Sequence, residues 1–276
     1  ARTLAPEQLI IVANTGDDEV FHGLHISPDL DTLMYNLAGL ANPLTGWGLA
    51  NESFHALEML GKYGADTWFK LGDRDLATHI ERTRHLYQGK SLSEITQHLC
   101  NRLGIRPTLA PMSDQPVRTI VETPKGNLSF QDYFVKQQCK PTITGVHFTG
   151  IEKARMSPIF EQALQSAQAV VFCPSNPVVS IGPILAVSGV RELLKTFRGP
   201  RIAISPIVGG QSLRGPAAKM LLELGEDVTC VGIAKRLRGV CDILAIDTQD
   251  KKQVPDVRAT GIEPVVMDII METEED

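Results

Sequence analysis

What most constrains this chain is a series of short apolar runs separated by helical patterns. Leu9–Ala13, Ala169–Cys173, Arg201–Ile204, Val228–Ile233, Ile243–Ile246 and Val265–Met267 are strand-length and rich in β-branched residues, as segments buried on both faces of a sheet are. Between several of them, Gly189–Phe197 and Ala217–Leu224 space their apolar residues at the helical period. Strands alternating with helices pair in parallel, with the crossover helices covering the sheet. The expected fold class is α/β, a Rossmann-like and mostly parallel sheet with helices on both faces.

The interval 43–150 has a different pattern. Glu52–Tyr63 and Ala77–Tyr87 read as helices, and Ser91–Leu103 as a third, with Ser91 and Glu94 spaced as a capping box. Arg118–Thr123 and Asn127–Phe134 flank Pro124-Lys125-Gly126 and predict a hairpin. Residues 1–42 and 151–276 therefore read as the core, and 43–150 as a mixed α+β insertion resting over the ends of its strands. The closing Met271–Asp276, METEED, reads as a solvated acidic end.

Composition narrows the function classes. A net charge of −5 disfavours nucleic acid as a partner. The five cysteines are dispersed without a CxxC pair, the pattern of free thiols in a reducing compartment, so a cytoplasmic protein is expected. No apolar run approaches the roughly 20 residues that span a bilayer, and no membrane partner is expected. The opening ARTLAPEQ carries neither a signal-peptide core nor an initiator Met, and the expectation is a chain that begins inside a longer protein. No GxSxG elbow, HExxH or GxxxxGK[ST] loop occurs.

Chemistry concentrates in Asn14–Thr32, NTGDDEVFHGLHISPDLDT, read as a loop between the first strand and a helix. Ser27 suits an N-cap and Pro28 the first helical position. Asp29 and Asp31 fall in the first turn, where the helix dipole favours an acid, and each in isolation reads as a helix-start residue. Asp17 and Asp18 at the strand end change that balance. Carboxylates converging there repel unless a cation or hydroxyl donors satisfy them, and hard oxygens suit Mg²⁺. His22 and His25 read as polar loop residues, with no third soft ligand nearby in sequence. KLGDRDLATH by itself reads first as a solvated ion-pair cluster ahead of a helix; the functional alternative sets Lys70 and Arg74 beside a phosphate or a ligand hydroxyl, with Asp73 and Asp75 orienting them. Pro111–Asp114, Pro174–Pro177, Ser205–Gly210 and Arg214–Lys219 offer small residues and free N–H groups ahead of helices. Open α/β sheets bind ligands at such strand ends.

Taken in order, NTGDD, HGLHISPDLDT, GWG, KLGDRDLATH, PMSD, FQDYFV, PSNPVVSIGPIL, SPIVGG and LRGPAAKM closely resemble the phospholactate transferase family of deazaflavin coenzyme biosynthesis. The resemblance implies transfer of a phospholactyl or phosphoenolpyruvyl group from its guanylyl derivative to the terminal ribityl hydroxyl of Fo. GMP and the phosphorylated precursor of coenzyme F-420 would be the products, Mg²⁺ the required ion, and a homodimer the assembly. It places Asp31, Lys70 and Arg74 at Fo, and Asn14, Ser175, Asn176, Gly209 and Gly210 at the donor. Asp17 and Asp29 become metal ligands, with Asp29 and Asp31 as catalytic candidates. Family members begin with a strand and a Gly-rich phosphate loop, whereas this sequence starts where the following helix would end. The lactyl and enolpyruvyl donors stay undistinguished. The rival reading is a non-catalytic nucleotide-sugar-binding regulator of the same superfamily. On the transferase reading, Asp31→Asn is expected to abolish turnover and leave the fold intact.

Overall fold

The computed structural model describes residues 4–271, so the acidic end past Met271 lies outside the described residues. The first part of the chain runs β1 (Ile10–Ala13), β2 (Glu19–Phe21), β3 (Leu24–Ile26), α1 (Pro28–Leu37), α2 (His55–Lys62), α3 (Asp73–Tyr87) and α4 (Leu92–Arg102). Next come β4 (Thr108–Pro111), β5 (Arg118–Thr123), β6 (Gly126–Ser129), a π-helical turn at Asp132–Lys136, and β7 (Gly145–Thr149). The remainder is α5 (Pro158–Ser166), β8 (Val170–Phe172), α6 (Ile181–Ala186), α7 (Val190–Thr196), β9 (Arg201–Ile204), β10 (Ile207–Val208) and β11 (Gln211–Ser212). It closes with α8 (Ala217–Glu223), α9 (Cys230–Leu237), β12 (Ile243–Ile246), α10 (Val254–Ala259) and β13 (Glu263–Val266).

The fold is α/β, as the alternating pattern predicts. A four-stranded sheet in the order β13-β12-β9-β8 is parallel throughout. Its inward residues, among them Ala203, Leu244 and Ile246, join Met220, Ile233, Leu237 and Val257 from the flanking helices in the larger core. A second parallel pair, β1 with β4, packs under α1 and α4 through Leu30, Met34, Leu92, Cys100 and Leu109. β4 lies inside the interval 43–150 and yet pairs with the strand that opens the chain. The antiparallel sheet β6-β5-β7 stands beside these.

Several elements depart from the sequence reading. Val228–Ile233 is not a strand: Thr229 caps α9 by accepting the Gly232 N–H at 3.1 Å, and Cys230, Ile233, Ala234 and Leu237 are buried at helical spacing. A short apolar run does not distinguish the two states, and here capping and the downstream Leu237 decide for helix. The second hairpin strand stops at Ser129, because Phe130–Lys136 turns helical and buries Phe130 and Tyr133. β1 is not buried on both faces, since Ile10 is 41% exposed and β4 is its one strand partner among the described residues. The acidic loop holds the β2–β3 hairpin, turned by His22 and Gly23 at φ 51° and 76°, the left-handed pair of a tight two-residue turn. Ser91 and Glu94 do form their capping box on α4.

Candidate functional site

The opening loop folds into a buried polar knot. Asn14, 2% exposed, accepts the Gly16 N–H through Oδ1 at 2.7 Å. Its Nδ2 donates to Asp29 Oδ2 at 3.2 Å and to the Val179 carbonyl at 3.3 Å. Asn14 thereby ties the strand end to the first turn of α1 and to the segment after β8. Gly16 is required by close approach, because a Cβ there would lie 2.8 Å from Thr119 Oγ1 and 3.0 Å from Asn14 Oδ1. The turn delivers Asp17 and Asp18 into the interior, at 6% and 3% exposure.

These carboxylates are in electrostatic conflict. Burial, then the neighbouring Asp29 charge, raises the Asp17 carboxyl well above its ordinary range, against hydrogen bonding from Asn14. Burial pushes Asp29 up to about 6; the Asn14 hydrogen bond opposes this and the Asp18 charge adds to it. Asp18 is better served, since Oδ2 lies 2.9 Å from His25 Nε2 and accepts the Ser27 hydroxyl at 2.8 Å. Ser27 therefore holds the N-cap position without capping α1 through its side chain.

The same residues test the fit of a divalent cation. Asp17 Oδ1, Asp18 Oδ1 and Thr15 Oγ1 are buried oxygens without a hydrogen-bond partner, and such atoms are costly in an interior. A hard cation would satisfy oxygens of this kind and remove the Asp17–Asp29 repulsion. Among the described residues no three acids of this loop bring ligand oxygens within 4.8 Å of one another. That suits Mg²⁺, which takes one or two carboxylates and completes its shell with water and substrate phosphate.

Asp31 stands apart from this group, in a buried ion pair that the sequence reading missed. The Arg82 Nη2 pairs with Asp31 Oδ1, and Nη1 donates to Oδ2 at 3.1 Å, with Arg82 2% and Asp31 5% exposed. Burial works against the Arg82 charge, but Asp31 outweighs it and the guanidinium is held more firmly protonated than usual. His79 packs between them and the next acid, with Nδ1 3.7 Å from Asp31 and Nε2 3.1 Å from Asp75. Tyr35 of α1 donates to Asp75 Oδ1 at 2.6 Å, and burial with the nearby Asp31 and Asp75 charges keeps that phenol protonated. Asp75, His79 and Arg82 fall at i, i+4 and i+7, one helical stripe. That spacing was the available signal, masked because α3 buries its polar stripe and leaves Ile80 52% exposed.

The KLGDRD segment is built differently from its expected role. Asp73 caps α2, accepting the Ser53 hydroxyl and the His55 and Ala56 N–H groups. Glu52 returns the favour for α3 by accepting from Arg74 N at 2.7 Å and Asp75 N at 3.0 Å. Asp73 and Asp75 thus serve helix ends and Tyr35, and do not orient Lys70 or Arg74. The Arg74 guanidinium donates to the Ala50 carbonyl at 2.7 Å. Lys70 is exposed, directly after an aromatic cluster in which Phe21 stacks on Phe69 at 4.4 Å and Trp68 stands edge-on to Phe21 at 4.9 Å.

Of the donor-side candidates, Asn176 is connected to the aspartate loop. Its Oδ1 accepts the Val178 and Val179 N–H groups, while the Val179 carbonyl receives Asn14. Ser175 is half-buried, with its N–H bonded to the Cys173 carbonyl at 2.7 Å. Gly209 and Gly210, at φ 57° and 79°, turn the β10–β11 hairpin, and Gly209 N donates to Asp250 at 3.1 Å. Among the described residues no hydrogen bond links this turn or Lys70 to the aspartates of the opening loop.

Comparison with known proteins agrees with this architecture. The profile of the family described as 2-phospho-L-lactate transferase CofD matches residues 2–276. A 2-phospho-L-lactate transferase of Methanosarcina mazei is 37% identical over 248 residues, 90% of this chain and 81% of that protein. A phosphoenolpyruvate transferase of Streptomyces griseus is 43% identical over 265 residues, covering 94% and 83%. Among solved structures, a UPF0052-family protein of Bacillus halodurans superposes with a TM-score of 0.60 at 14% identity, over 99% of this chain and 88% of that one. That likeness concerns the fold.

Proposed function

The chain belongs to the 2-phospho-L-lactate transferase CofD family, and we propose that it moves a phospholactyl or phosphoenolpyruvyl group from a guanylyl donor to the terminal ribityl hydroxyl of Fo, releasing GMP. It is a transferase of the 2-phospho-L-lactate transferase type, in a family of coenzyme F-420 biosynthesis. The observation that carries the finer reading is the pair Asp17 and Asp29. They are buried carboxylates in mutual repulsion, and Asp17 keeps an unsatisfied oxygen at the end of a parallel strand.

Reactions of this kind need positioning and charge neutralisation more than a covalent nucleophile. Asp17 and Asp29 are the residues that would hold Mg²⁺. When bound, the ion supplies charge neutralisation at the donor phosphate oxygens. Asn14 fixes Asp29 by its 3.2 Å hydrogen bond, so the carboxylate keeps its direction as substrates arrive. Asp31, pinned by Arg82, is suited to accept a hydrogen bond from the Fo hydroxyl and orient it. Asp29, with a carboxyl at about 6, is ionised at neutral pH and able to take a proton or an ion. Lys70 beside Phe69 and Trp68 supports a planar, anionic or hydroxylated substrate on that side. Asn176 and Ser175, with Gly209 and Gly210, are assigned to the donor, and Arg74 to the rim of the Fo site. A cytoplasmic homodimer acting on small molecules completes the proposal. No helix among the described residues is long and apolar enough to cross a membrane.

The test is to supply Fo, Mg²⁺ and each guanylyl donor in competition, and to follow GMP and phosphorylated deazaflavin. Release of GMP that depends on Fo, and its loss in Asp29→Asn, is the expected result. Binding of a uridine nucleotide-sugar with no GMP from either donor would replace the proposal with the regulator reading.

A further inference from the structure

On another face of α3 a second set of ligating side chains comes together, outside the aspartate loop. Glu81 and His85 stand one turn apart, and α4, packed against α3, contributes His98. One ligand atom from each of the three lies within 4.8 Å of the other two, and this is the one such group of three His, Cys, Asp or Glu among the described residues. The His85 and His98 rings are 5.3 Å apart and steeply inclined at 74°.

His85 shows that this is more than surface crowding. It is 6% exposed, and its Nδ1 lies 3.1 Å from Gln88 Oε1. Gln88 thus holds one ring nitrogen and leaves Nε2 for another partner. That Nε2 is buried without a hydrogen-bond partner, and it faces Glu81 Oε1 at 2.9 Å. A buried imidazole nitrogen and a carboxylate oxygen this close can share a cation, a proton or a metal ion. Gln88 meanwhile fixes the ring from behind, as outer partners of metal-bound histidines do. Arg84 also holds Glu81, at 3.0 Å on Oε2 and 2.6 Å on Oε1. Coordination through Oε1 leaves Oε2 to Arg84.

We propose that Glu81, His85 and His98 form a site for a borderline divalent transition metal, Zn²⁺ foremost, that clamps α3 to α4. Two imidazole nitrogens and a carboxylate are a common zinc set, with water in the fourth position. The edge of a tetrahedron with bonds of about 2.1 Å is roughly 3.4 Å, and adjusting the three ligands to it falls mainly to His98, which is exposed. Nitrogen ligands separate this site from one for Mg²⁺, which prefers oxygen.

The experiment uses the untagged full chain, stripped with chelator and titrated with Co²⁺ and Zn²⁺. One Co²⁺ per chain with visible d–d bands is expected, displaced by Zn²⁺ but not by millimolar Mg²⁺. His98→Ala, at an exposed position, is expected to weaken Zn²⁺ binding by more than about 10-fold, the least that loss of even an outer partner costs. Zn²⁺ should raise the melting temperature of the parent and not of His98→Ala. Equal Zn²⁺ affinity in parent and His98→Ala overturns the proposal and leaves Glu81–His85 an imidazolium–carboxylate pair. Weakening in Asp17→Asn without weakening in His98→Ala moves the ion to the aspartate loop and also overturns it.

Discussion

Arg82→Met isolates the buried pair that holds α3 against α1. Arg82 is 2% exposed and Asp31 5%, and both guanidinium nitrogens engage both carboxylate oxygens. Removing the cation strands Asp31, whose nearest remaining positive candidate is His79 at 3.7 Å. Breaking a buried pair in this way costs about 3–5 kcal/mol. At about 2–4 °C per kcal/mol for chains of this size, the melting temperature should fall by about 10 °C. Urea unfolding monitored by circular dichroism measures the loss directly. The double variant Arg82→Met/Asp31→Leu removes both charges and fills the space with apolar atoms, so it should recover most of the stability, though not turnover. A cost below about 1 kcal/mol for Arg82→Met, or additive effects in the cycle, would refute the pairing as the anchor of α3. The pair also revises the expectation for Asp31→Asn. That substitution strands the Arg82 charge, so it should destabilise the fold as well as slow turnover, and Asp29→Asn is the cleaner probe.

Three further outcomes follow from the site. The Asp29 carboxyl is raised from 3.8 to about 6, so the folded state holds its proton more tightly than the unfolded chain does. Its contribution is present below about pH 4 and lost as pH rises through 6, on the order of 3 kcal/mol. Asp29→Asn, which cannot ionise, should therefore gain on the parent between pH 4.5 and 7 in Mg²⁺-free urea titrations; a constant difference contradicts the assignment. Gly16→Ala places a Cβ 2.8 Å from Thr119 Oγ1 and should cost about 1–3 kcal/mol, with loss of Mg²⁺-induced thermal stabilisation. A variant that keeps both would show the turn to be slack. Trp68→Ala should raise KM for Fo more than it lowers kcat, read from initial rates, if the aromatic cluster beside Lys70 receives the acceptor.

By itself the sequence determined the α/β class, the parallel strands at Arg201–Ile204 and Ile243–Ile246, the Ser91–Glu94 box and the family. These depend on periodicity, caps and ordered motifs, all local in the chain. It also marked Asn14–Thr32 as the place where acids gather, because Asp17, Asp18, Asp29 and Asp31 follow one strand closely in the chain. Only the tertiary structure separated Asp31 from that group, for its partner Arg82 is 51 residues away. Only packing turned Val228–Ile233 into a helix start and set Asp73 to cap α2 and Glu52 to cap α3. Whether an acid is a ligand, a cap or half of an ion pair depends on which donor reaches it and how much water remains. Those are properties of the folded surroundings, and residue type and spacing do not carry them.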